Sequence, residues 1–472
     1  MDTTGRQAII VADLGHGDAG KGGIVDYLTR LHGAHTVVRY NGGAQAAHNV
    51  VTPDGRHHTF AQFGSGTFVP GVRTHLSRYM LAHPAALLRE NLHLCAVGVE
   101  DALARTTVDR DALIITPPQQ AANRLRELAR GADRHGSCGL GVGETVADAL
   151  ADPAVALRAG DLCDRAAVRL KLRRLRALKL DELAPLLPAL RGRAEAEAEL
   201  TVFRDADVIE ACADLFATFA RAVAVVDADY TARLLREPGT VVFEGAQGVL
   251  LDEWYGFHPY TTWSTTTYRN AETLLAEAGY GGRVTRLGVL RAYATRHGPG
   301  PFVTEDERLA ARWPDAHNAA NPWQHAFRAG YPDLVATRYA LAVAGGADAL
   351  AVTHLDRLAH ADHADHPNHP NSLDRAAPWV VCTAYRYGGP ESDLDGYAAR
   401  HGPVVDDLLP PPVPDLARQE RLTALLRSCT PCYGPCPRDE ETYRALLAER
   451  LGVPVAIGSY GVTAQQKQCY LA

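Results

Sequence analysis

The chain has 472 residues, 46% hydrophobic and 22% charged, with a net charge of −7. This balance excludes a disordered or fibrous chain and offers no basic surface for general nucleic-acid binding. Its apolar runs are too short to span a membrane, its opening MDTTGRQAII lacks a basic-then-apolar leader, and its 9 cysteines are too few for a disulfide scaffold, so a reducing cytoplasm is the expected location.

In chain order, the first predicted strand is QAIIVADLG. It runs into a glycine-rich corner, GHGDAGKGG (15–23), and then a helical pattern, IVDYLTRL. Strand, glycine loop and helix form the layout of a phosphate site. Gly15, Gly20 and Lys21 fit most of the Walker A pattern, but Gly22 stands where that pattern has Ser or Thr. Gly15, Gly17, Gly20, Gly22 and Gly23 let the backbone turn and aim N–H groups at an anion, with Lys21 as a point charge. Asp18 is repulsive inside such a cradle unless it holds a cation or handles a proton.

The next strand, HTVVRYNGG, leads to a corner carrying Gln45, His48 and Asn49. Helical patterns follow at QAANRLRELARG and across an Ala/Leu/Arg-rich region from about 163 to 236. GTVVFEGAQG ends at Gln247, an amide placed to read a base edge, with Thr261 and Thr262 beyond it as phosphate or sugar ligands. RVTRLGVLRAYATR, ALAVTHLD and VPVAIGSYG complete the apolar runs. The alternation predicts an α/β fold: a large, mostly parallel central sheet with flanking helices, in a single domain over 1–472 with a helical insertion at about 163–236. Ligands in such sheets sit at the carboxyl ends of strands. Three further segments read as loops: HADHADHPNHPNS (360–372), the stiff PPPVPD (410–415) and CTPCYGPC (429–436). In the last, Cys429, Cys432 and Cys436 lack a clear fourth zinc ligand, so free thiols are expected.

Taken together and in order, GDAGKGGIVDYL, NGGAQAAHNV, VVFEGAQGVLLD and HPYTTWSTT closely resemble the signature segments of adenylosuccinate synthetase. The likeness continues through HGSCGLGVG, RAGDLCD, AYATRHGPGPFVTE, THLD and GSYG, nearly the whole chain. The resemblance implies a P-loop NTPase-related fold, a homodimer, Mg²⁺ as cofactor and GTP as co-substrate. It implies transfer of the γ-phosphate to the 6-oxygen of IMP and displacement of that phosphate by the amine of aspartate. Asp18 then matches the base for the N1 proton and a magnesium ligand, and Lys21 the phosphate lysine. His48 matches the histidine on the transferring phosphoryl group, and Gln247 the glutamine that orients the base. Gly17, Gly20, Gly22, Gly23, His354, Asp356, Ser459 and Gly461 fall at GTP-binding positions, with Asp356 at the guanine-reading aspartate. Gln45, Ser137, Cys138 and Thr262 fall at the acceptor nucleotide, and Ala47 at a second metal-ligand position.

The departures are concentrated. Ala19, Gly23 and Ala47 stand at a usual glutamate, lysine and glycine, His354 at a usual lysine, Gln45 at an asparagine and Cys138 at a threonine. The loop that clamps aspartate with arginines reads NAANPWQHAFRAGYPD (318–333). Arg328 survives there, beside Asn321, Trp323, Gln324 and His325. A dicarboxylate needs fork-shaped donors, so this loop suits a flatter or less acidic amine. The resemblance therefore points to a diverged paralogue in specialised metabolism, with a non-aspartate donor or a modified acceptor. Housekeeping adenylosuccinate synthesis and a non-catalytic nucleotide-binding regulator are the alternatives.

Overall fold

The computed structural model describes residues 5–313, 323, 327–359 and 379–470. Its strands are, in chain order, β1 (Arg6–Asp13), β2 (Thr36–Arg39), β3 (His48–Val51), β4 (His57–Phe60), β5 (Arg73–Leu76) and β6 (Thr106–Asp109). Then come β7 (Ala224–Val226), β8 (Gly239–Gly248), β9 (Arg283–Arg291), β10 (Ala294–His297), β11 (Phe327–Gly330) and β12 (Ala349–Thr353). The last are β13 (Val380–Tyr387), β14 (Ala398–His401), β15 (Val404–Leu408), β16 (Cys429–Pro435), β17 (Val455–Ser459) and β18 (Lys467–Cys469).

Ten of these form one sheet in the order β18-β17-β12-β9-β1-β8-β2-β5-β6-β7, parallel except where β18 pairs antiparallel with β17. The pleat sends alternate side chains of β1 into two separate cores. Ala8, Ile10 and Ala12 join Phe243 and Val352 on one face, while Ile9 and Val11 join Val242, Val289 and Ala351 on the other. Burial on both faces is why these strands read as unbroken apolar runs.

The six strands expected from sequence are the contiguous centre of this sheet, β17 to β2. RVTRLGVLRAYATR divides: β9 stays in the sheet and β10 leaves it to pair with β11. The region 163–236 is not wholly helical. Helices Arg165–Leu183, Ala194–Arg204 and Val208–Ala222 return a strand, β7, to the sheet edge. CTPCYGPC, expected as a loop, is the strand β16 paired with β13 in a four-stranded sheet. Burial pushes the Cys429 and Cys436 thiols up to about 12, and no cluster of His, Cys, Asp or Glu among the described residues is arranged to hold a metal ion. The His-rich segment at 360–372 lies outside the described residues. Among them, no helix is long and apolar enough to cross a membrane.

Candidate active site

Loops from the carboxyl ends of β1, β2, β8, β9, β12 and β17 enclose a cleft of about 960 Å³. Its wall includes every described residue expected for catalysis, GTP, acceptor and metal: Gly17, Asp18, Gly20, Lys21, Gly22, Gly23, Gln45, Ala47, His48, Ser137, Cys138, Gln247, Thr262, His354, Asp356, Ser459 and Gly461.

The glycine loop is organised by a residue that sequence reasoning passed over. Asp13, the last residue of β1, accepts hydrogen bonds from the backbone N–H of Gly15 (2.8 Å), Gly17 (3.4 Å) and Ala19 (2.8 Å). Lys21 opens the helix α1 (Lys21–Leu31), and its ammonium donates to Asp13 Oδ2 (2.9 Å) and to the Gly17 carbonyl (2.7 Å). Two of the N–H groups expected to face an incoming anion, those of Gly15 and Gly17, thus turn with that of Ala19 to a carboxylate of the chain itself. The cause is local geometry: Asp13 lies at the strand end, inside the concavity that the loop forms around it. At Gly22, a Cβ would stand 2.7 Å from the Cβ of His48 and 2.9 Å from its carbonyl carbon. The residue that breaks the Walker pattern is what lets α1 lie directly against β3.

His48 is buried at the start of β3. Its Nδ1–H donates to Glu244 Oε1 (2.5 Å), and Ser65 holds Glu244 through its backbone N–H (2.8 Å) and its hydroxyl. Burial pulls the His48 imidazole down to about 4 despite the opposing pull of Glu244. Burial pushes the Glu244 carboxyl up, but hydrogen bonding from His48 and the charge of Arg39 outweigh it and hold the group below its usual range. The resting pair is a neutral imidazole on an ionised carboxylate, which leaves Nε2 as the nitrogen for a ligand. Asp18 faces His297, with Oδ2 3.5 Å from Nε2, and burial pushes its carboxyl above the usual value. Arg291 donates to the Asp18 carbonyl (3.1 Å) and to His354 Nε2 (3.0 Å). His354, held at a φ of 60°, therefore stands tied to Arg291, where the resemblance has lysine.

At the acceptor end, Asn41 brackets Ala246 by accepting from its N–H (2.7 Å) and donating to its carbonyl (3.0 Å), which fixes Gln247 beside it. The buried side-chain oxygens of Gln45 and Gln247 have no hydrogen-bond partner, a lack that N–H groups of a ligand would satisfy. Asn123 donates to the Ser137 hydroxyl (3.0 Å), and burial pushes the Cys138 thiol up. The arginines on this wall are already paired: Arg126 with Glu144 (2.8 Å) and Glu182 (2.6 Å), and Arg130 with Glu127 (2.5 Å).

The amine loop is where structure and expectation part. Asn321, Gln324 and His325 lie outside the described residues. Trp323 turns from the cleft and packs against Gly139 and under the Arg124 guanidinium (5.6 Å). Arg328, on β11, donates to Glu305 (2.7 Å) and to the carbonyls of Gly298 (2.7 Å) and Gly300 (3.1 Å). Neither residue lines the cleft. What this ribbon brings toward Asp18 is His297, backed by the ring of Phe327 at 4.9 Å; the residue lies in the segment AYATRHGPGPFVTE, to which sequence reasoning assigned no role at the site.

The donor set suits a magnesium ion. Asp18 is a hard carboxylate on the cleft wall, whereas both Asp13 oxygens are occupied; one carboxylate with substrate phosphates is a common magnesium arrangement. Ala47 has only its carbonyl oxygen to add.

The family model for adenylosuccinate synthetase matches residues 10–467. The chain is 31% identical over 467 residues to adenylosuccinate synthetase of Marinomonas sp., covering 96% of each. It is 29% identical over 460 residues to that of Desulfovibrio desulfuricans, covering 95% of this chain and 96% of the relative. Among solved structures, fully ligated adenylosuccinate synthetase from Plasmodium falciparum superposes with a TM-score of 0.73 at 19% identity, over 98% and 99% of the two chains. Succinoaminodeoxyadenylate synthetase from cyanophage S-2L, bound to dGMP and dATP, gives 0.55 at 14% identity, over 99% and 96%.

Proposed function

Because the chain belongs to the adenylosuccinate synthetase family, whose enzymes are GTP-dependent ligases forming a C–N bond, we propose that it phosphorylates an oxo group of an IMP-like purine nucleotide and replaces it with an amine other than aspartate. The observation that carries the second half is Arg328: its guanidinium is engaged by Glu305 and two carbonyls, and it does not line the cleft. A dicarboxylate there would lack the paired cationic forks it needs.

For the first half, the support is the group set around one end of the cleft. Asp18 takes the proton from the acceptor's ring nitrogen, making the oxo oxygen nucleophilic, and its burial favours the protonated product. His48 presents Nε2 to the transferring phosphoryl group, and the ionised Glu244 behind it stabilises the imidazolium that an arriving oxyanion induces. Gln45 and Gln247 offer oxygens to the acceptor's N–H groups. A magnesium ion on Asp18 would supply charge neutralisation for the phosphates. Homodimerisation belongs to the same reading. The cyanophage neighbour, bound to dGMP and to dATP as an energy donor, supports variation of the bound nucleotides on this fold.

The test is incubation with Mg·GTP, an acceptor (IMP, inosine or dGMP) and either aspartate or a pool of amines, followed by mass spectrometry. GDP release and a new non-succinyl adduct are expected. Efficient adenylosuccinate formation from IMP and aspartate would refute the altered-donor reading. Inosine enters the panel because Arg126 and Arg130 are already matched by carboxylates.

A further inference from the structure

We propose that Lys467 supplies the positive charge that meets the phosphates of the donor nucleotide, the part assigned by resemblance to Lys21; this rests on the reading of the cleft as a nucleoside triphosphate site.

Lys21 brings no net charge to the cleft. Its ammonium lies 2.9 Å from Asp13 Oδ2, and both groups are buried. A phosphate arriving at that loop meets an ion pair rather than a cation, and the loop N–H groups of Gly15 and Ala19 are already donated to the same carboxylate.

Lys467 is placed to make up the difference. It comes from β18, the antiparallel edge strand, and reaches across the first turn of α1 into the cleft wall. A Cβ on residue 23 would stand 3.3 Å from its Nζ and 3.4 Å from its Cε. The tip of this side chain thus packs directly against the glycine at 23, the position where the resemblance leads one to expect a lysine. The two residues form one arrangement: a glycine on the helix where the resemblance has lysine, and an ammonium delivered to the same space from another strand.

The surroundings leave that ammonium uncompensated. Its hydrogen bond goes to a neutral acceptor, the Thr463 carbonyl (2.9 Å), and no ion pair with a described carboxylate reaches it. Asp26 attracts it from a distance but is itself bound through both oxygens by Arg30 (3.0 Å). Burial pulls the ammonium down to about 8, so an anion placed beside it would favour the charge that burial disfavours. The same wall carries Gly20, His354, Asp356 and Ser459, so an anion on Lys467 would be continuous with a nucleoside reaching Asp356.

Calorimetric titration with Mg·GDP and with guanosine tests this without any knowledge of acceptor or amine. K467M should weaken GDP about 10- to 100-fold, the range for one charge-assisted contact, and leave guanosine unchanged. K467R should retain affinity for GDP, which excludes misfolding as the cause. G23K in the K467M background should restore most of the loss. Unchanged GDP affinity in K467M, or an equal loss for guanosine, overturns the assignment while leaving the ligase reading intact. A wild-type protein that binds neither GDP nor guanosine overturns both.

Discussion

Arg328 keeps its charge in the segment where an aspartate clamp is expected, yet directs it at Glu305 and the carbonyls of Gly298 and Gly300. Its work is then to hold β11 against the segment that leaves β10. R328M should lower stability by about 1–3 kcal/mol, the loss expected when a charged donor leaves its acceptors unmatched. The KM for the amine substrate should stay unchanged. Urea denaturation and steady-state kinetics check the two halves, and a large rise in amine KM with intact stability would return Arg328 to the substrate. The sequence displays the arginine but not the oxygens it meets. Asp13, His297 and Lys467 were illegible for the same reason. Asp13 is enclosed by the loop that directly follows it, while Lys467 meets α1 and His297 meets Asp18 only because the fold brings distant strands near.

At the scale of elements, legibility followed burial. The central strands β17, β12, β9, β1, β8 and β2 each carry a run of buried apolar residues, from Val-Val in β2 to Ala-Ile-Ile-Val-Ala in β1, and those runs are what the sequence displays. The flanking strands β5 and β6 read Arg-Thr-His-Leu and Thr-Thr-Val-Asp, short and polar, and their pairing comes from position in the sheet. The contact between α1 and β3 is sharper still. Gly22 is needed because the backbone of His48 occupies the place of a side chain. G22A should push β3 from α1 and move His48 by a fraction of an ångström or more, lowering kcat about 10²-fold. GDP release by the purified variant, with circular dichroism to confirm the fold, measures this. Undiminished turnover would show that the contact yields freely.

Across the whole molecule, the large sheet and the four-stranded sheet are joined at Asp333. Its carboxylate caps the helix Leu334–Ala344 through the Ala336 N–H (3.0 Å) and accepts from Tyr385 of β13 (2.6 Å). Burial pushes this carboxyl up to about 6 from 3.8. Folding therefore raises its proton affinity, so its contribution favours the native state at low pH. That contribution falls as pH climbs from about 4 to about 6, by about 3 kcal/mol in all. D333N keeps a cap and removes the titration, so it should flatten the stability slope over that interval, measured by denaturation at a series of pH values. An unchanged slope would place the titrating group elsewhere.

Asp13 stands at the end of the strand in the middle of the sheet, its carboxylate enclosed by the glycine loop and Lys21. The free protein thus carries its own placeholder for the ligand's anion. The loop needs no nucleotide to take its shape, and a phosphate seeking the N–H groups of Gly15, Gly17 and Ala19 would compete with a resident carboxylate. Its affinity there is a difference between two anions, so selectivity at this end of the cleft depends on how well a newcomer competes rather than on how strongly the loop attracts.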